Sequence, residues 1–127
     1  MSPNIPQSAL IVDDEAHVRQ FVRMVLQSLG VKTVHEADSV EAAREVWNQH
    51  LPDCLVLDIN MPGESGLDFL KEVREVDQDV PVVMLSGNAQ LAAVRQAADL
   101  GADGFIRKDS PRAVITAELR KIFETED

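Results

Sequence analysis

Five short apolar runs alternate with segments of helical periodicity, and this alternation constrains the fold more than any other feature of the chain. Apolar runs of about 4–8 residues bounded by turn signals are typical of buried strands. The predicted strands are 8–12, 33–37, 55–58, 81–86 and 104–108. Successive strands joined by helices run parallel, with right-handed crossovers. The sequence therefore predicts an α/β fold with a single doubly wound, five-stranded parallel sheet and helices on both of its faces.

The helical segments have recognisable boundaries. In the first, apolar residues recur at helical spacing from Glu15 to Leu29, and Gly30 follows as the stop. In the second, Trp47 lies on the apolar face and is expected in the core. Boundary signals for the later helices are Asp38 or Ser39 and Ser65 as caps, Leu51-Pro52-Asp53 as a stop, Gly87-Asn88 as a turn and Pro111 as an opening residue.

The charge and the apolar runs limit the function. The 127 residues carry a formal net charge of -10, with a pI near 4.6. Nucleic acid or an anionic membrane would repel such a surface, so we expect no direct binding to either. No run approaches the roughly 20 apolar residues of a membrane span, and the start lacks the features of a signal peptide, which predicts a cytoplasmic protein. We predict a flexible leader at 1–7 and one domain at 8–127. The single cysteine, Cys54, is predicted to be a buried thiol.

Polar side chains stand where four of the predicted strands end: Asp13 and Asp14 after the first, Asp58 after the third, Ser86 after the fourth and Lys108 after the fifth. Since the carboxyl ends of parallel strands meet at one edge, ligands bind there, where the winding direction reverses. Three carboxylates about 4 Å apart would repel by roughly 4 kcal/mol per pair at an effective dielectric near 20, so a cation is needed. Oxygen ligands without a histidine or cysteine cluster suit Mg²⁺, and Lys108 would supply a second positive charge.

This combination resembles the receiver domains of two-component response regulators. The shared features are an acidic pair, an acceptor aspartate followed by Met61-Pro62-Gly63, a hydroxyl after the fourth strand and a lysine after the fifth. The resemblance extends from about Ser8 to Phe123. It implies the flavodoxin-like fold of chemotaxis regulators, with the strand order 2-1-3-4-5.

The resemblance also implies a role for each residue. Asp58 would be the phosphoacceptor, which attacks phosphohistidine on a sensor histidine kinase or a phosphotransfer protein. The other implied roles are Mg²⁺ binding by Asp13, Asp14, Asp58 and the backbone carbonyl of Asn60, phosphoryl binding by Ser86 and Lys108, and an aromatic switch at Phe105. The implied function is a phosphorylation-dependent signalling switch. We expect no enzyme activity beyond self-phosphorylation from a phosphodonor and slow autodephosphorylation.

The expected partners follow from the same resemblance. Besides the kinase, they are a downstream protein target or an output domain, and a second copy in a phosphorylation-dependent dimer. The fourth helix, last strand and last helix would form the output face.

Two features depart from the family pattern. Asp109 and Ser110 separate Lys108 from Pro111, where proline often follows the lysine directly, and they add a negative charge near the site. This Lys-Asp variant resembles receivers that precede a helix-turn-helix output domain. Phe105 has no hydroxyl, so a switch there acts by packing alone.

Two other functions are open on the residues alone. A small Mg²⁺-dependent phosphohydrolase also uses an aspartyl nucleophile at a strand end, but Asn60 stands where such an enzyme would place a second acid. The other is a receiver-like interaction module that is never phosphorylated, which the departure after Lys108 supports. His17, His35 and His50 fall on different elements, so we expect surface or packing roles for them and not metal binding.

Overall fold

The five apolar runs form the five strands of one parallel sheet. A computed structural model describes residues 5–87 and 91–124 of the chain. The strands are β1 Ser8–Val12, β2 Thr33–Ala37, β3 Leu55–Asp58, β4 Val82–Ser86 and β5 Gly104–Arg107. The helices are α1 Ala16–Ser28, α2 Val40–His50, α3 Gly66–Val76, α4 Leu91–Asp99 and α5 Arg112–Glu124. The order across the sheet is β2-β1-β3-β4-β5 with every neighbouring pair parallel, so the predicted fold class and strand order are confirmed.

Helices cover both faces of the sheet, which explains why the strands are apolar at consecutive positions. Along β1, Leu10 and Val12 belong to a core with α2, α3 and α4, whereas Ala9 and Ile11 belong to a core with α1 and α5. Alternate side chains of a strand point to opposite faces, so a strand between two helical layers is buried at each position. Trp47 is buried in the first of these cores, as predicted.

The register of the central strands places the ends of β1 and β3 side by side. β1 pairs with β2 on one side and with β3 on the other, so the winding direction reverses between β1 and β3. Val12 is paired with Leu57, and therefore the residues that follow them, Asp13 and Asp58, are neighbours at the sheet edge. The ends of β4 and β5 are paired in the same way.

Most element boundaries agree with the sequence signals to within one residue. Ser39 rather than Asp38 caps α2, since its Oγ accepts a hydrogen bond from the N–H of Ala42 at 3.1 Å. The first helix starts one residue later than predicted, because Glu15 is its N-cap. The fourth strand begins one residue later than predicted, at Val82, and the fifth ends one residue earlier, at Arg107.

The other predicted boundary residues lie where the helices start and stop. Ser65 forms a reciprocal capping box with Asp68 at the start of α3. Leu51 ends α2 in the left-handed conformation, with φ of 45°. Pro111 directly precedes α5. Of the predicted turn Gly87-Asn88, the second residue lies outside the described part of the chain.

Part of the predicted leader contacts the domain. Ile5 packs against the core formed with α1 and α5, and the carbonyl oxygen of Gln7 accepts hydrogen bonds from the N–H groups of Lys32 and Thr33 at 3.1 Å. Residues 1–4 of that leader, and residues 125–127, lie outside the described part. Cys54 is buried, as predicted. No helix within residues 5–87 and 91–124 is long and apolar enough to cross a membrane.

Candidate functional site

Three aspartates meet at the carboxyl edge of the sheet. Asp13 and Asp14 follow β1 and Asp58 ends β3, and one carboxylate oxygen from each lies within 4.8 Å of the other two. Asp13 and Asp58 are fully buried, whereas Asp14 is exposed. The structure therefore brings together the three carboxylates that the sequence placed at strand ends.

Three of the four polar atoms of Asp13 are bound by neighbouring parts of the chain. Its N–H donates to the carbonyl oxygen of Ala37 at 3.1 Å, its own carbonyl oxygen accepts from Nη1 of Arg19 at 2.7 Å, and Oδ1 accepts from the N–H of Glu15 at 2.8 Å. The remaining atom, Oδ2, is buried and accepts no hydrogen bond within the described part of the chain. Nζ of Lys108 lies 2.9 Å from this oxygen and forms an ion pair with it.

Asp58 is bound through both of its carboxylate oxygens. Oδ1 accepts a hydrogen bond from the N–H of Asn60 at 3.1 Å, and Oδ2 accepts one from Nζ of Lys108 at 3.0 Å. Burial raises the pKa of Asp58 to about 6; the hydrogen bond from Lys108 opposes the rise, and the charge of Asp13 adds to it. At pH 7 the carboxylate is therefore ionised, at an electrostatic cost that a further cation would reduce.

Lys108 supplies positive charge from the position just after β5. Its Nζ lies 2.9 Å from Oδ2 of Asp13, 2.8 Å from Oε2 of Glu15 and 3.0 Å from Oδ2 of Asp58. Burial favours the neutral amine, but the contacts with these three carboxylates prevail and raise the pKa of Lys108 above its ordinary value. The lysine is therefore a permanent cation in the crevice.

Glu15 also belongs to this cluster, although its sequence position did not single it out as a site residue. Its hydrogen bond with Lys108 lowers the pKa of Glu15. The side chain is 46% exposed, so Glu15 forms the solvent side of the cluster. The sequence feature that could have indicated a role for Glu15 is its position directly after Asp13 and Asp14 in one acidic run. Its partner stands 93 positions away, which no local pattern indicates.

The remaining predicted site residues lie at the same edge. Ser86 is fully buried at the end of β4, and its carbonyl oxygen accepts a hydrogen bond from the N–H of Lys108 at 2.8 Å. Asn60 is exposed directly after the end of β3. Phe105 of β5 is half-buried and packs against the core formed with α2, α3 and α4.

A close backbone approach fixes α3 against the end of β3. A Cβ atom added to Gly66, the first residue of α3, would lie 2.1 Å from the carbonyl oxygen of Asp58, so only glycine fits there. The N–H of Gly66 also donates to the carbonyl oxygen of Ile59 at 3.3 Å. These contacts set the path of the loop that carries Asn60.

Asp109 and Ser110, which separate Lys108 from Pro111, leave the contacts of Lys108 with the acidic cluster intact. Asp109 forms a two-pronged ion pair with Arg107, with Nε–Oδ1 and Nη2–Oδ2 distances of 3.1 and 2.9 Å. Both side chains are more than half exposed. The added negative charge that we expected near the site is therefore matched by Arg107, the last residue of β5.

The histidines are not part of this cluster in the described residues. His35 of β2 and His50 at the end of α2 stack, with ring centroids 4.4 Å apart and an interplanar angle of 20°. Burial lowers the pKa of His35, and the charges of His50 and Arg23 lower it further. His17 is exposed. The expected packing and surface roles are confirmed, but the contact between His35 and His50 was not predicted.

The clustered donors fit Mg²⁺. All three are carboxylates, which are the ligands that Mg²⁺ prefers in proteins. Oδ2 of Asp13 is buried and pairs with Nζ of Lys108, but the same amine also pairs with Glu15 and Asp58, so one positive charge faces three carboxylates and a further cation would reduce their electrostatic cost. The cluster contains neither histidine nor cysteine as far as the structure describes it, so a softer metal is not indicated.

A doubly wound parallel sheet with an acidic pair, a buried aspartate and a lysine at its carboxyl edge defines a chemotaxis-regulator-like α/β domain. The chain belongs to the response regulator receiver domain family, whose sequence model matches residues 9–120. Receiver domains of two-component response regulators are signalling proteins, and this chain contains one.

Individual relatives agree with this assignment. The chain is 36% identical to the chemotaxis protein CheY-3 of Vibrio cholerae serotype O1 over 117 residues, which are 91% of this chain and 90% of the relative. It is 36% identical to the phosphate regulon transcriptional regulatory protein PhoB of Escherichia coli in a 119-residue alignment that covers 89% of this chain but 52% of PhoB. The solved structure of the chemotaxis response regulator CheY4 of Vibrio cholerae superposes with a TM-score of 0.82 at 26% identity, and the match covers 91% of this chain and 97% of that one. The chain thus matches nearly all of some regulators and about half of others.

Proposed function

We propose that Asp58 accepts a phosphoryl group from a phosphohistidine of a sensor histidine kinase or a phosphotransfer protein, and that the domain acts as a phosphorylation-dependent switch. The observation that carries this proposal is the buried pair of Asp13 and Asp58, with Nζ of Lys108 2.9 and 3.0 Å from their Oδ2 atoms. Two buried carboxylates that repel each other cost stability, so a purely structural role would not favour them.

The carboxylate of Asp58 is suited to in-line attack on phosphorus. With a pKa raised to about 6 it is ionised at pH 7, so it needs no general base. An oxygen of Asp58 forms the new bond to phosphorus, the bond from phosphorus to the histidine nitrogen breaks, and the released imidazole takes up a proton. Lys108 already contacts the acceptor and would stabilise the phosphoryl oxygens during the transfer.

The proposed Mg²⁺ ligands are Asp13, Asp14, Asp58 and the backbone carbonyl of Asn60. When bound, the metal neutralises charge on the phosphoryl oxygens. Two of the carboxylates are fully buried and that of Asp14 is exposed, so the protein closes the site on one side and leaves the other to water, which Mg²⁺ retains readily.

The switch would begin with the added charge. A phosphoryl group brings about 1.5 to 2 negative charges to a cluster that is already acidic. The hydroxyl of Ser86 would bind it, and Phe105 would then pack further into the core. A change from mostly inactive to mostly active molecules requires about 5.5 kcal/mol of differential stabilisation. The face formed by α4, β5 and α5 would present the change to a downstream target, an output domain or a second copy of the chain.

Intact-mass spectrometry after incubation with a small acyl phosphate tests this proposal. We expect a gain of one phosphoryl group that needs Mg²⁺ and is absent in Asp58→Asn. Asp99→Asn is the matched control, since it removes an exposed aspartate at the end of α4, and it should be labelled like the parent. An unlabelled parent that releases phosphate continuously would indicate a phosphohydrolase. An unlabelled parent without phosphate release would indicate an interaction module that is not phosphorylated.

A further inference from the structure

Arg19 of α1 contacts the backbone of Asp13, although no sequence motif singles it out. Its Nη1 donates to the carbonyl oxygen of Asp13 at 2.7 Å, and its side chain is 18% exposed. The N–H of Asp13 is bound to Ala37 and its Oδ1 to Glu15, so the arginine completes the restraint of this residue. The one polar atom left is Oδ2, which faces Lys108.

Arg19 is itself fixed by Glu36 on β2. Its Nε donates to Oε1 of Glu36 at 2.9 Å, and Nε of Arg23, one turn later in α1, donates to Oε2 at 2.7 Å. Arg23 also donates to the carbonyl oxygen of Val34 at 2.9 Å. Burial tends to raise the pKa of Glu36, but the two arginines prevail and lower it, so the carboxylate stays ionised. The guanidinium of Arg19 thus links a fixed anion on β2 to the backbone of Asp13.

We propose that Arg19, held by Glu36, is a positioning residue for the cation site. It holds the backbone of Asp13 so that Oδ2 points into the acidic crevice. This inference rests on the proposed function, since the cation is Mg²⁺. Groups that orient metal ligands typically change metal affinity about 10–100-fold when they are removed. A guanidinium suits this task because its planar fork binds two acceptors in fixed directions, which a lysine amine does not.

The direction of the change in Mg²⁺ affinity separates positioning from simple electrostatics. A nearby positive charge repels Mg²⁺, so loss of the Arg19 charge alone would tighten binding. Loss of orientation weakens binding instead, because Asp13 must then be ordered when the metal binds. We therefore expect Arg19→Gln to bind Mg²⁺ about 10–100-fold more weakly than the parent. Arg19→Lys should have an intermediate affinity.

Arg74 offers a matched control at the opposite edge of the sheet. Its Nε and Nη2 donate to the carbonyl oxygen of Gly101 at 3.0 and 2.8 Å, and Nη2 lies 3.1 Å from Oδ2 of Asp103. The side chain is 13% exposed, close to the value for Arg19. Asp103 directly precedes β5, so these contacts lie at the amino edge, away from the acidic cluster. Arg74→Gln should lower stability but leave Mg²⁺ affinity unchanged.

Isothermal titration of the full chain with magnesium chloride measures the affinity, and thermal unfolding shows that each variant is folded at the titration temperature. If Arg19→Gln is unfolded at that temperature, Arg19→Lys is titrated in its place and should also bind Mg²⁺ more weakly than the parent. Amide hydrogen exchange of the metal-free proteins is the second measurement. Arg19→Gln should speed exchange of the amides of Asp13 and Glu15, whereas Arg74→Gln should not.

The outcomes separate this inference from the function it rests on. If Arg19→Gln binds Mg²⁺ as tightly as the parent, or more tightly, the positioning role is refuted and the proposed function stands. If the parent binds no Mg²⁺, the proposed cation site is wrong and the positioning role is refuted with it. Weaker binding in Arg19→Gln, with parent-like binding in Arg74→Gln, supports the role.

Discussion

Nζ of Lys108 lies 3.0 Å from Oδ2 of Asp58, although the two residues are 50 positions apart in the chain. The same Nζ lies 2.9 Å from Oδ2 of Asp13, so one amine bridges two fully buried carboxylates. The parallel sheet makes this possible, because it brings the ends of β1, β3 and β5 to one edge. The charge balance of the site therefore depends on a single lysine and on any metal that joins it.

Lys108→Gln should lower the free energy of unfolding by about 3–5 kcal/mol, because two buried carboxylates lose their shared cation. Mg²⁺ should restore part of this loss, since it binds the folded state and replaces the missing charge. Urea unfolding with and without Mg²⁺ measures both effects. Arg107→Gln breaks the exposed ion pair with Asp109 at the end of β5, next to Lys108, and should change stability by less than about 1 kcal/mol. Equal losses in the two variants would contradict the role given to Lys108.

Asp58→Asn should raise the free energy of unfolding at pH 7 by about 1–3 kcal/mol in the metal-free chain. The pKa of Asp58 is raised to about 6, so the folded state binds a proton more tightly than the unfolded state does. The stability that this proton contributes is fully present below about pH 4 and is lost as the pH rises to about 6. The variant lacks this loss, so its advantage over the parent should grow across that interval. Denaturant unfolding in a chelator at several pH values measures the difference, and a variant less stable than the parent at pH 7 would indicate a structural role for Asp58.

Gly66→Ala should destabilise the chain by about 1–3 kcal/mol or more, because the added Cβ overlaps the carbonyl oxygen of Asp58. Relief of the overlap moves the end of β3 or the start of α3, so phosphoryl labelling should also slow. For Gly87→Ala, no atom of residues 5–87 and 91–124 lies within 4 Å of the added Cβ, and the stability should stay within about 0.5 kcal/mol of the parent. Urea unfolding of both variants checks this, and a parent-like Gly66→Ala would mean that the close approach does not constrain the loop.

The stacked pair of His35 and His50 should make stability depend on pH in the mildly acidic range. Burial, and then the charges of His50 and Arg23, lower the pKa of His35. The unfolded chain therefore takes up this proton first, near pH 6.5, and stability present above about pH 6.5 is lost as the pH falls through the folded pKa. His50→Gln should raise the pKa of His35 only part of the way, because burial is the larger cause. An NMR titration of the His35 ring measures this, and an unchanged pKa would show that the two rings are not coupled.

The positions of Asp13, Asp58 and Lys108 were predictable because each stands at the end of a strand, and parallel strands end at the same edge wherever they lie in the sheet. The order of the strands was not predictable from periodicity. Nothing in the composition of β1 indicates that it pairs with both β2 and β3, so the order came from the resemblance to receiver domains.

The site residues that the sequence did not indicate act through tertiary contacts. Arg19 binds a main-chain carbonyl, Gly66 leaves room for a neighbouring backbone, and Glu15 pairs with a lysine 93 positions away. Each contact depends on how two packed elements approach each other. The packing of two distant elements cannot be inferred from residue type and local spacing. For this reason the sequence indicated the central carboxylates but not the residues that contact them.

The location of the phosphoryl group tests the central claim most directly. Borohydride reduces an aspartyl phosphate to homoserine, and peptide mass spectrometry then identifies the converted residue. After incubation with an acyl phosphate and Mg²⁺, we predict conversion of Asp58 and of no other aspartate, and no conversion in a chelator or in Asp58→Asn. Conversion of a different aspartate, or an unmodified Asp58 in a folded chain that binds Mg²⁺, would contradict the proposed function.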